Sequence, residues 1–305
     1  MRPATLRAIA KRNDYALPDE LESPERFRDL AHFIERFVLT TGALQRYDDF
    51  REIVVEYAAE ARAHGAVYLE AIFAPRLMHG IDTDEVFSGY CDGALEAREL
   101  HGVDVRLTPD IPRVYSLDDA LATARYAVKY RDRGVVGIGL GGPEEGHPPE
   151  PYADAFALAR EGGLASVPHA GEAVGAESVR GALETLGAHR IRHGVRAVED
   201  TGLVGELASR GTVLDVCPLS NLRTGVVPTL AEHPLPQLVA AGVRCSISTD
   251  DPAIFDTDLT RDYEAAAALG VSPRAAYEAG LAGALCDDET RERLRRLHAS
   301  HDWAE

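Results

Sequence analysis

Three apolar runs in this sequence each end in residues that can bind a metal or carry protons. The first ends at His169, with Glu172 three residues later. The second ends at His193, and the third ends at the paired carboxylates Asp250 and Asp251. Imidazole and carboxylate groups delivered from the ends of successive strands are the components of a metal-assisted hydrolytic site. The sequence therefore predicts hydrolytic chemistry at one end of a sheet.

Each of these residues also has an ordinary structural interpretation. A histidine at a strand end is more often a hydrogen-bonded structural residue than a ligand. Glu172 follows Gly171 and is suited to the start of a helix, where the helix dipole favours an acid. The Asp250-Asp251-Pro252 sequence is equally suited to a helix cap. The hydrolytic interpretation therefore depends on the order of the residues and on their shared placement at strand ends.

The elements that must position these residues alternate in type. Apolar runs typical of buried parallel strands lie at 66–73, 103–107, 134–140, 164–167, 189–191, 212–216 and 243–248. Helical patterns lie between them at 48–64, 83–100, 117–131, 152–161, 176–186, 198–210 and 235–241. A strand followed by a helix, repeated without a Pro-rich or Ser-rich linker, predicts a parallel sheet with right-handed crossovers.

The architecture that closes such a sheet is a (β/α)8 TIM barrel with extra helices. We expect residues 1–305 to form it as a single α/β domain. A doubly wound open sheet is the structural alternative, but no Gly-x-Gly-x-x-Gly motif opens a helix here. The barrel also explains why site-type residues end several strands, since these ends meet at one mouth.

Composition and charge restrict the partners. The 305 residues carry a formal net charge of −18, and the densest basic run, 291–296, is typical of the solvated face of a last helix. Such a charge repels nucleic acid and anionic membranes. No apolar run approaches the roughly 18 residues needed to cross a bilayer, and the N-terminus lacks the apolar core of a signal peptide. We therefore expect a cytoplasmic protein with a small-molecule substrate, and the oligomeric state stays open.

Four ordered motifs resemble those of the adenosine deaminase family of the amidohydrolase superfamily. They are His-Ala-Gly-Glu at 169–172, Arg-Ile-Arg-His-Gly at 190–194, Cys-Pro-Leu-Ser-Asn at 217–221 and Ser-Thr-Asp-Asp-Pro at 248–252. The resemblance extends from Arg2 to the C-terminal region. It implies a barrel with one Zn²⁺ per chain that deaminates a 6-aminopurine nucleoside by hydrolysis.

The resemblance also implies roles for the residues at the strand ends. His169 and Asp250 look like the zinc ligands, and Glu172 looks like the acid that protonates a purine ring nitrogen. His193 would orient and deprotonate the water on the zinc. These roles agree with the chemistry, because zinc lowers the pKa of water to about 7 and a buried glutamate with a raised pKa can donate a proton.

Two further positions are implied to bind the purine. Asp251 would hydrogen-bond a second ring nitrogen. The segment 137–144 is similar to the family's glycine-containing fourth strand end, where a backbone amide contacts the base, and by position this amide belongs to Gly142. Glycine suits such a contact because it lets a ligand approach the backbone closely.

One element of the family pattern is missing from the printed sequence. The family's first strand carries a His-x-His pair of zinc ligands, followed by Arg-Pro-x-Thr-Leu. Here Arg-Pro-Ala-Thr-Leu follows Met1 directly, and no His-x-His occurs elsewhere. Two ligands are fewer than the three of a normal zinc site, and a barrel without one strand has two open edges. We expect that the natural protein begins upstream of Met1; the alternative is a metal-free relative.

Two smaller departures from the family bear on the substrate. Arg192 stands where glycine is common, and Gly-Gly-Pro-Glu at 141–144 replaces a more acidic sequence. An arginine near the mouth can receive an anionic group, which would suit 6-aminodeoxyfutalosine, a carboxylate-bearing adenosine derivative of menaquinone synthesis. The alternative is that Arg192 points into solvent.

Three substrates and one non-enzymatic function therefore stay open. Adenosine is the favoured substrate, aminodeoxyfutalosine is the second, and adenine or another aminopurine is the third. The non-enzymatic alternative is a catalytically inactive barrel that binds a purine nucleoside, and it predicts no metal in the purified chain.

Overall fold

All the strands that the structure describes are parallel. A computed structural model describes residues 2–17, 27–78 and 80–303. Its strand segments are β1 Tyr68–Phe73, β2 Asp104–Pro112, β3 Gly137–Gly141, β4 Ala165–Ser166, β5 His169–Ala170, β6 Arg190–His193, β7 Val213–Val216 and β8 Arg244–Ile247. They form two groups, β1-β2-β3-β4 and β5-β6-β7-β8, in which each strand pairs with the next along the chain.

Segments β4 and β5 are two parts of one strand that changes neighbour. The first part pairs with β3 and the second with β6. Val167 and Pro168 separate them, and a proline has no N–H to give to a ladder. The described strands therefore occupy seven positions, which are the seven predicted from the apolar runs. No ladder joins β8 to β1 within the described ranges.

Helices alternate with these strands. They are α1 Pro3–Arg12, α2 Leu30–Thr41, α3 Tyr47–Ala63, α4 Thr83–His101, α5 Leu117–Lys129, α6 Ala153–Glu161, α7 Ala176–Glu184, α8 Thr201–Arg210, α9 Pro218–Arg223, α10 Leu235–Ala240, α11 Pro252–Phe255, α12 Leu259–Ala268, α13 Pro273–Gly283 and α14 Asp288–Ser300. None of those described combines the length and apolar character that crossing a bilayer requires.

Local sequence fixes where the longer helices begin. The side chains of Asp82, Ser116 and Asp200 accept hydrogen bonds from backbone N–H groups in the first turns of α4, α5 and α8. Each cap satisfies a donor that has no partner inside the helix. The predicted start of α8 lies three residues early, because residues 198–199 precede the cap and Asp200 is the cap itself.

Two apolar clusters fill the space between strands and helices. One includes Phe50, Phe87 and Leu140 and belongs to the half of the chain that ends near β4. The other includes Ile191 and Leu214 and belongs to the half that begins at β5. Strands β2, β3, β6 and β7 are buried along almost their whole length, which explains why they read as continuous apolar runs, whereas β1 has a single buried residue, Phe73.

Strand β2 is longer than the sequence analysis predicts. The predicted strand ends at Leu107, whereas β2 continues through two prolines to Pro112. Pairing with β1 ends at Pro109, and pairing with β3 continues from Asp110 onward. Proline is unfavourable inside a sheet because it removes a ladder hydrogen bond, so the sequence pattern indicated a loop here.

An ion-paired layer crosses the barrel interior. The Arg190 guanidinium on β6 donates to Glu70 on β1 at 2.7 Å and to Asp215 on β7 at 2.8 Å. It also donates to the backbone carbonyl of Gly283 at 2.8 Å. Buried charges are tolerated only when paired and hydrogen-bonded. This layer therefore ties β1 to β6 and β7 by side chains.

The basic run 291–296 is only partly a solvated face. Arg291 of α14 donates to the carbonyl groups of Leu281 and Ala284, and Arg293 is ion-paired with Asp104 at the start of β2. The expectation of a purely solvated face is therefore wrong for these two arginines. Arg291 therefore connects the last helix to the end of α13, and Arg293 connects it to β2.

Candidate active site

His169, the first residue of β5, presents one ring nitrogen to the protein interior. Its Nδ1 lies 3.0 Å from the carbonyl oxygen of Leu140 and 3.3 Å from Oδ2 of Asp110. Both neighbours can only accept hydrogen bonds, so Nδ1 carries the proton and Nε2 keeps its lone pair. Metal-binding histidines are oriented in this way. The geometry therefore supports the interpretation of His169 as a ligand.

Asp110 and Arg192 form a buried pair behind His169. The Arg192 guanidinium on β6 donates to Asp110 and to the hydroxyl of Thr108, and Arg192 is only 4% exposed. Burial opposes ionisation of Asp110, but the charge of Arg192 and the hydrogen bonds from His169 and Arg192 outweigh it and hold the pKa of Asp110 below the usual range. Both interpretations of Arg192 from the sequence are therefore wrong, since it neither points into solvent nor is free to receive an anion.

Gly139 on β3 makes room for this pair. A Cβ atom at position 139 would lie 1.8 Å from Oδ1 of Asp110 and 2.5 Å from a nitrogen of Arg192. Any side chain there would collide with the two charged groups. Asp110 is not predicted from the sequence, although an acid that follows an apolar run is the same signal that identifies the later strand ends.

Glu144 holds the loop that carries Glu172. Its carboxylate accepts hydrogen bonds of 2.7–3.0 Å from four successive backbone N–H groups, those of residues 171–174, and one of 2.7 Å from the Ser178 hydroxyl. Burial opposes its ionisation, but these donors and the nearby Arg113 charge keep its pKa below the ordinary value. This role of Glu144 is not predicted from the sequence, and only the N–H groups that bond to its carboxylate reveal it.

Glu172 is buried and faces the other site residues. Its Oε2 lies 3.5 Å from Nε2 of His193, and its Oε1 has no hydrogen-bond partner among the described residues. Burial, reinforced by the charges of Asp250 and Glu144, raises its pKa well above the usual value. The helix-start interpretation is wrong, because α7 begins only at Ala176. A neutral carboxyl group in this position can donate a proton.

His193 ends β6 in a strained conformation. Its φ is +61°, in the left-handed region that favours glycine, and Gly194 follows with φ +66°. This turn places Nε2 3.7 Å from Oδ2 of Asp250, and the ring centroid lies 5.4 Å from that of His169. Burial, only partly opposed by the Asp250 charge, lowers the pKa of His193 to about 4. The ring is therefore neutral at physiological pH.

The two aspartates after β8 have separate surroundings. Asp250, with φ +56°, accepts a 2.8 Å hydrogen bond from the hydroxyl of Ser220. Asp251 stands at the start of α11, but its side chain makes no capping hydrogen bond, so the helix-cap interpretation is not supported. Burial and the Asp250 charge raise the pKa of Asp251 to about 7.

The donor chemistry of the site fits a zinc ion. Ligand atoms of His193, Cys217 and Asp250 lie within 4.8 Å of one another. Burial and nearby carboxylates raise the pKa of the Cys217 thiol well above its ordinary value, which disfavours the thiolate that zinc prefers. The imidazole of His169 and the carboxylate of Asp250 are nitrogen and oxygen donors of the kind that zinc binds, and they are two of the at least three that a zinc site normally has.

Gly142 follows β3, the strand whose Leu140 carbonyl contacts His169. Its φ is +96°, a conformation that residues with a Cβ rarely adopt. The structure therefore gives a backbone reason for glycine at this position. The implied contact between its amide and the base stays a prediction.

Comparison with known proteins finds the same family that the sequence motifs resemble. The family model described as "Adenosine deaminase" matches residues 1–298. An aminodeoxyfutalosine deaminase from Acidothermus cellulolyticus is 49% identical, over 99% of this chain and 89% of its own length. An adenine deaminase from Rhizobium leguminosarum bv. trifolii is 40% identical, over 88% of this chain and 85% of its own.

Solved structures also match over nearly the whole chain. An adenine deaminase from Arthrobacter aurescens superposes with a TM-score of 0.92 at 30% identity, covering 98% of this chain and 94% of that one. An amidohydrolase from Burkholderia ambifaria with bound Zn gives 0.89 at 26% identity, covering 98% and 86%. The predicted (β/α)8 TIM-barrel class is thereby confirmed.

Proposed function

This chain belongs to the adenosine deaminase family, and we propose that within it the protein hydrolyses the 6-amino group of aminodeoxyfutalosine. Its broader activity is that of a hydrolytic aminohydrolase acting on aminopurines. The observation that carries the reaction is the meeting of Glu172, His193 and Asp250 at one mouth of the barrel, with Nε2 of His193 within 3.7 Å of both carboxylates.

The residues of the site divide the work of deamination. Glu172, kept neutral by burial, gives a proton to a purine ring nitrogen, so negative charge does not accumulate there during attack. Asp251 and the amide of Gly142 hold the base, and His193 orients the attacking water. His169 and Asp250 would hold one zinc ion, which when bound supplies Lewis-acid activation of the water nucleophile near neutral pH.

The choice of substrate rests on the similarity to known relatives and not on Arg192 as a receptor for an anionic group. The relative that is 49% identical is an aminodeoxyfutalosine deaminase, and adenosine, the substrate favoured by the sequence analysis, is not supported by the relatives reported above. Since the Arg192 guanidinium is bound by Asp110 and Thr108, it does not receive a substrate carboxylate. Adenine is the second candidate, supported by the 40% relative and the Arthrobacter aurescens structure.

The test is a direct comparison of three substrates. Purified zinc-loaded protein is assayed for ammonia release from aminodeoxyfutalosine, adenine and adenosine, with Glu172→Gln as the matched inactive control. We expect kcat/KM for aminodeoxyfutalosine to exceed the other two by at least about tenfold. A preference for adenine or adenosine overturns the assignment of aminodeoxyfutalosine as the substrate. Turnover unaffected by Glu172→Gln overturns the role of Glu172 as the proton donor.

A further inference from the structure

We infer that neutral His193 carries its proton on Nε2 and faces the reacting atoms as a hydrogen-bond donor, and that Asn221 and His233 fix this tautomer. The inference rests on the proposed function for its catalytic meaning, although the tautomer itself can be measured without any substrate. It follows from a chain of hydrogen bonds that begins at a backbone amide, whose direction is fixed.

The chain begins at Leu235, the first residue of α10. The Leu235 backbone N–H donates to Nδ1 of His233 over 3.0 Å. Because a backbone N–H can only donate, Nδ1 of His233 must offer a lone pair. His233 is 3% exposed, and burial lowers its pKa to about 4, so the neutral ring carries its single proton on Nε2.

The next bond sets the orientation of an amide that is otherwise ambiguous. Nε2 of His233 lies 3.2 Å from Oδ1 of Asn221, and it donates to that oxygen. The Asn221 amide oxygen therefore points to His233 and its NH2 group points away. A flipped amide would place two donors face to face, which a fully buried side chain does not tolerate.

The last bond reaches His193. Nδ2 of Asn221 lies 3.2 Å from Nδ1 of His193 and donates to it. Nδ1 of His193 is therefore the acceptor, and the proton of the neutral ring lies on Nε2. The groups nearest Nε2 are Oε2 of Glu172 at 3.5 Å and Oδ2 of Asp250 at 3.7 Å. Of these two, Glu172 is a protonated carboxyl group, whereas the Asp250 carboxylate is an acceptor, and an N–H on Nε2 is the group that matches it.

This tautomer changes the role that the family resemblance implies for His193. A neutral ring with Nε2 protonated has no lone pair there and does not take a proton from the attacking water. It holds the water oxygen by donating a hydrogen bond. The proton released by the water then goes to the carboxylate of Asp250, because Glu172 already carries a proton, and a new O–H bond on Asp250 replaces the one that breaks in the water. Asn221 and His233 are positioning residues in this scheme.

Nitrogen-15 NMR of histidine-labelled protein at neutral pH tests the tautomer. Signals are assigned with His193→Gln and His233→Gln. We expect the His193 ring to show an unprotonated Nδ1 and a protonated Nε2, and His169 to show the reverse. A His193 ring protonated on Nδ1 overturns the inference.

A matched pair of variants tests the cause. Asn221→Asp keeps the size but replaces the donor with an acceptor, so the His193 proton should move to Nδ1. Turnover should fall roughly 10- to 100-fold while zinc content stays unchanged. His233→Phe removes the other end of the chain and lets the Asn221 amide rotate, so both His193 tautomers should appear. An unchanged His193 spectrum in both folded variants contradicts the inference.

The two proposals fail in different ways. If no aminopurine is deaminated but the His193 spectrum is as expected, the proposed function fails and the tautomer assignment stands. If aminodeoxyfutalosine is deaminated while His193 is protonated on Nδ1, the assignment fails and the function stands.

Discussion

His169 and His193 lie with their ring centroids 5.4 Å apart, and the protein supports them in opposite ways. Nδ1 of His169 faces acceptors, the Leu140 carbonyl and the Asp110 carboxylate. Nδ1 of His193 faces the amide donor of Asn221. The partner of Nδ1 therefore decides what each histidine offers on Nε2. His169 offers a lone pair there, and His193 offers an N–H.

The charge of the support differs as well. Behind His169 stands an ion pair, and a carboxylate on Nδ1–H makes the ring a more basic ligand. Behind His193 stands a neutral chain that ends at a backbone N–H. Histidines of the same type, in the same mouth of the barrel, are thus prepared for ligation in one case and for hydrogen-bond donation in the other.

Alanine substitutions give the largest contrast between the two histidines. His169→Ala should lose zinc and all measurable turnover, because a ligand is removed from a site that normally needs at least three. His193→Ala should keep zinc but lose turnover by roughly 10²-fold or more. Metal analysis and ammonia release on both purified variants test this. Loss of zinc from His193→Ala would remove the contrast.

Glu172→Gln tests the acid that faces His193. Glutamine keeps the size and hydrogen-bonding capacity of the side chain but cannot donate a proton as a carboxylic acid does. We expect kcat to fall by roughly 10²-fold with zinc retained. Steady-state kinetics and metal content measure the two quantities. Near-normal kcat would show that another group protonates the purine.

Asp110→Asn tests the charged support of His169. The amide keeps the shape but loses the charge that faces both the ring and Arg192, so zinc affinity should fall by roughly 10- to 100-fold. Competition with a chelator measures the affinity, and Asn221→Asp is the matched control because it alters the support of His193 alone. Equal losses of zinc affinity in both variants would contradict the comparison.

The smallest effect concerns the pH dependence of stability. The pKa of His233 is about 4 in the folded protein and about 6.5 when unfolded, so the unfolded chain binds more protons between these values. Its contribution to the free energy of unfolding is present above pH 6.5 and is lost as the pH falls toward 4. The loss is of order 1–3 kcal/mol.

A matched variant isolates that contribution. His233→Phe should show a shallower fall in the free energy of unfolding between pH 6.5 and pH 4 than the unaltered protein, since phenylalanine does not titrate. Urea unfolding at several pH values gives both curves. Parallel curves for the two proteins would show that His233 is protonated equally easily in both states.

What the sequence could predict is local. The positions of His169, His193 and Asp250 follow from a polar residue directly after an apolar run, and the seven strand positions follow from the runs themselves. The placement of these residues at one mouth follows from the barrel. The strands can be recognised as continuous apolar runs because parallel strands are generally buried on both faces.

What the sequence could not predict depends on partners distant in the chain. Asp110 was missed because two neighbouring prolines indicate a loop, and its partner Arg192 is 82 residues away. Arg192 was misinterpreted because the inward orientation of its side chain depends on the strand register. Glu144 and His233 carry no motif of their own, and only the hydrogen bonds they make reveal what they support.

The left-handed backbone at His193 and Asp250 has a consequence for protein engineering. Each residue holds a φ near +60° that costs roughly 1–2 kcal/mol for a side chain with a Cβ, and glycine would relieve it. A search for thermostable variants that monitors only folding should therefore favour glycine at position 250, whereas at position 193 the lost acceptor of the buried Asn221 amide offsets the relief of strain. Such a search would erase the catalytic site while improving the scaffold, so thermal selection of this barrel has to be coupled to turnover.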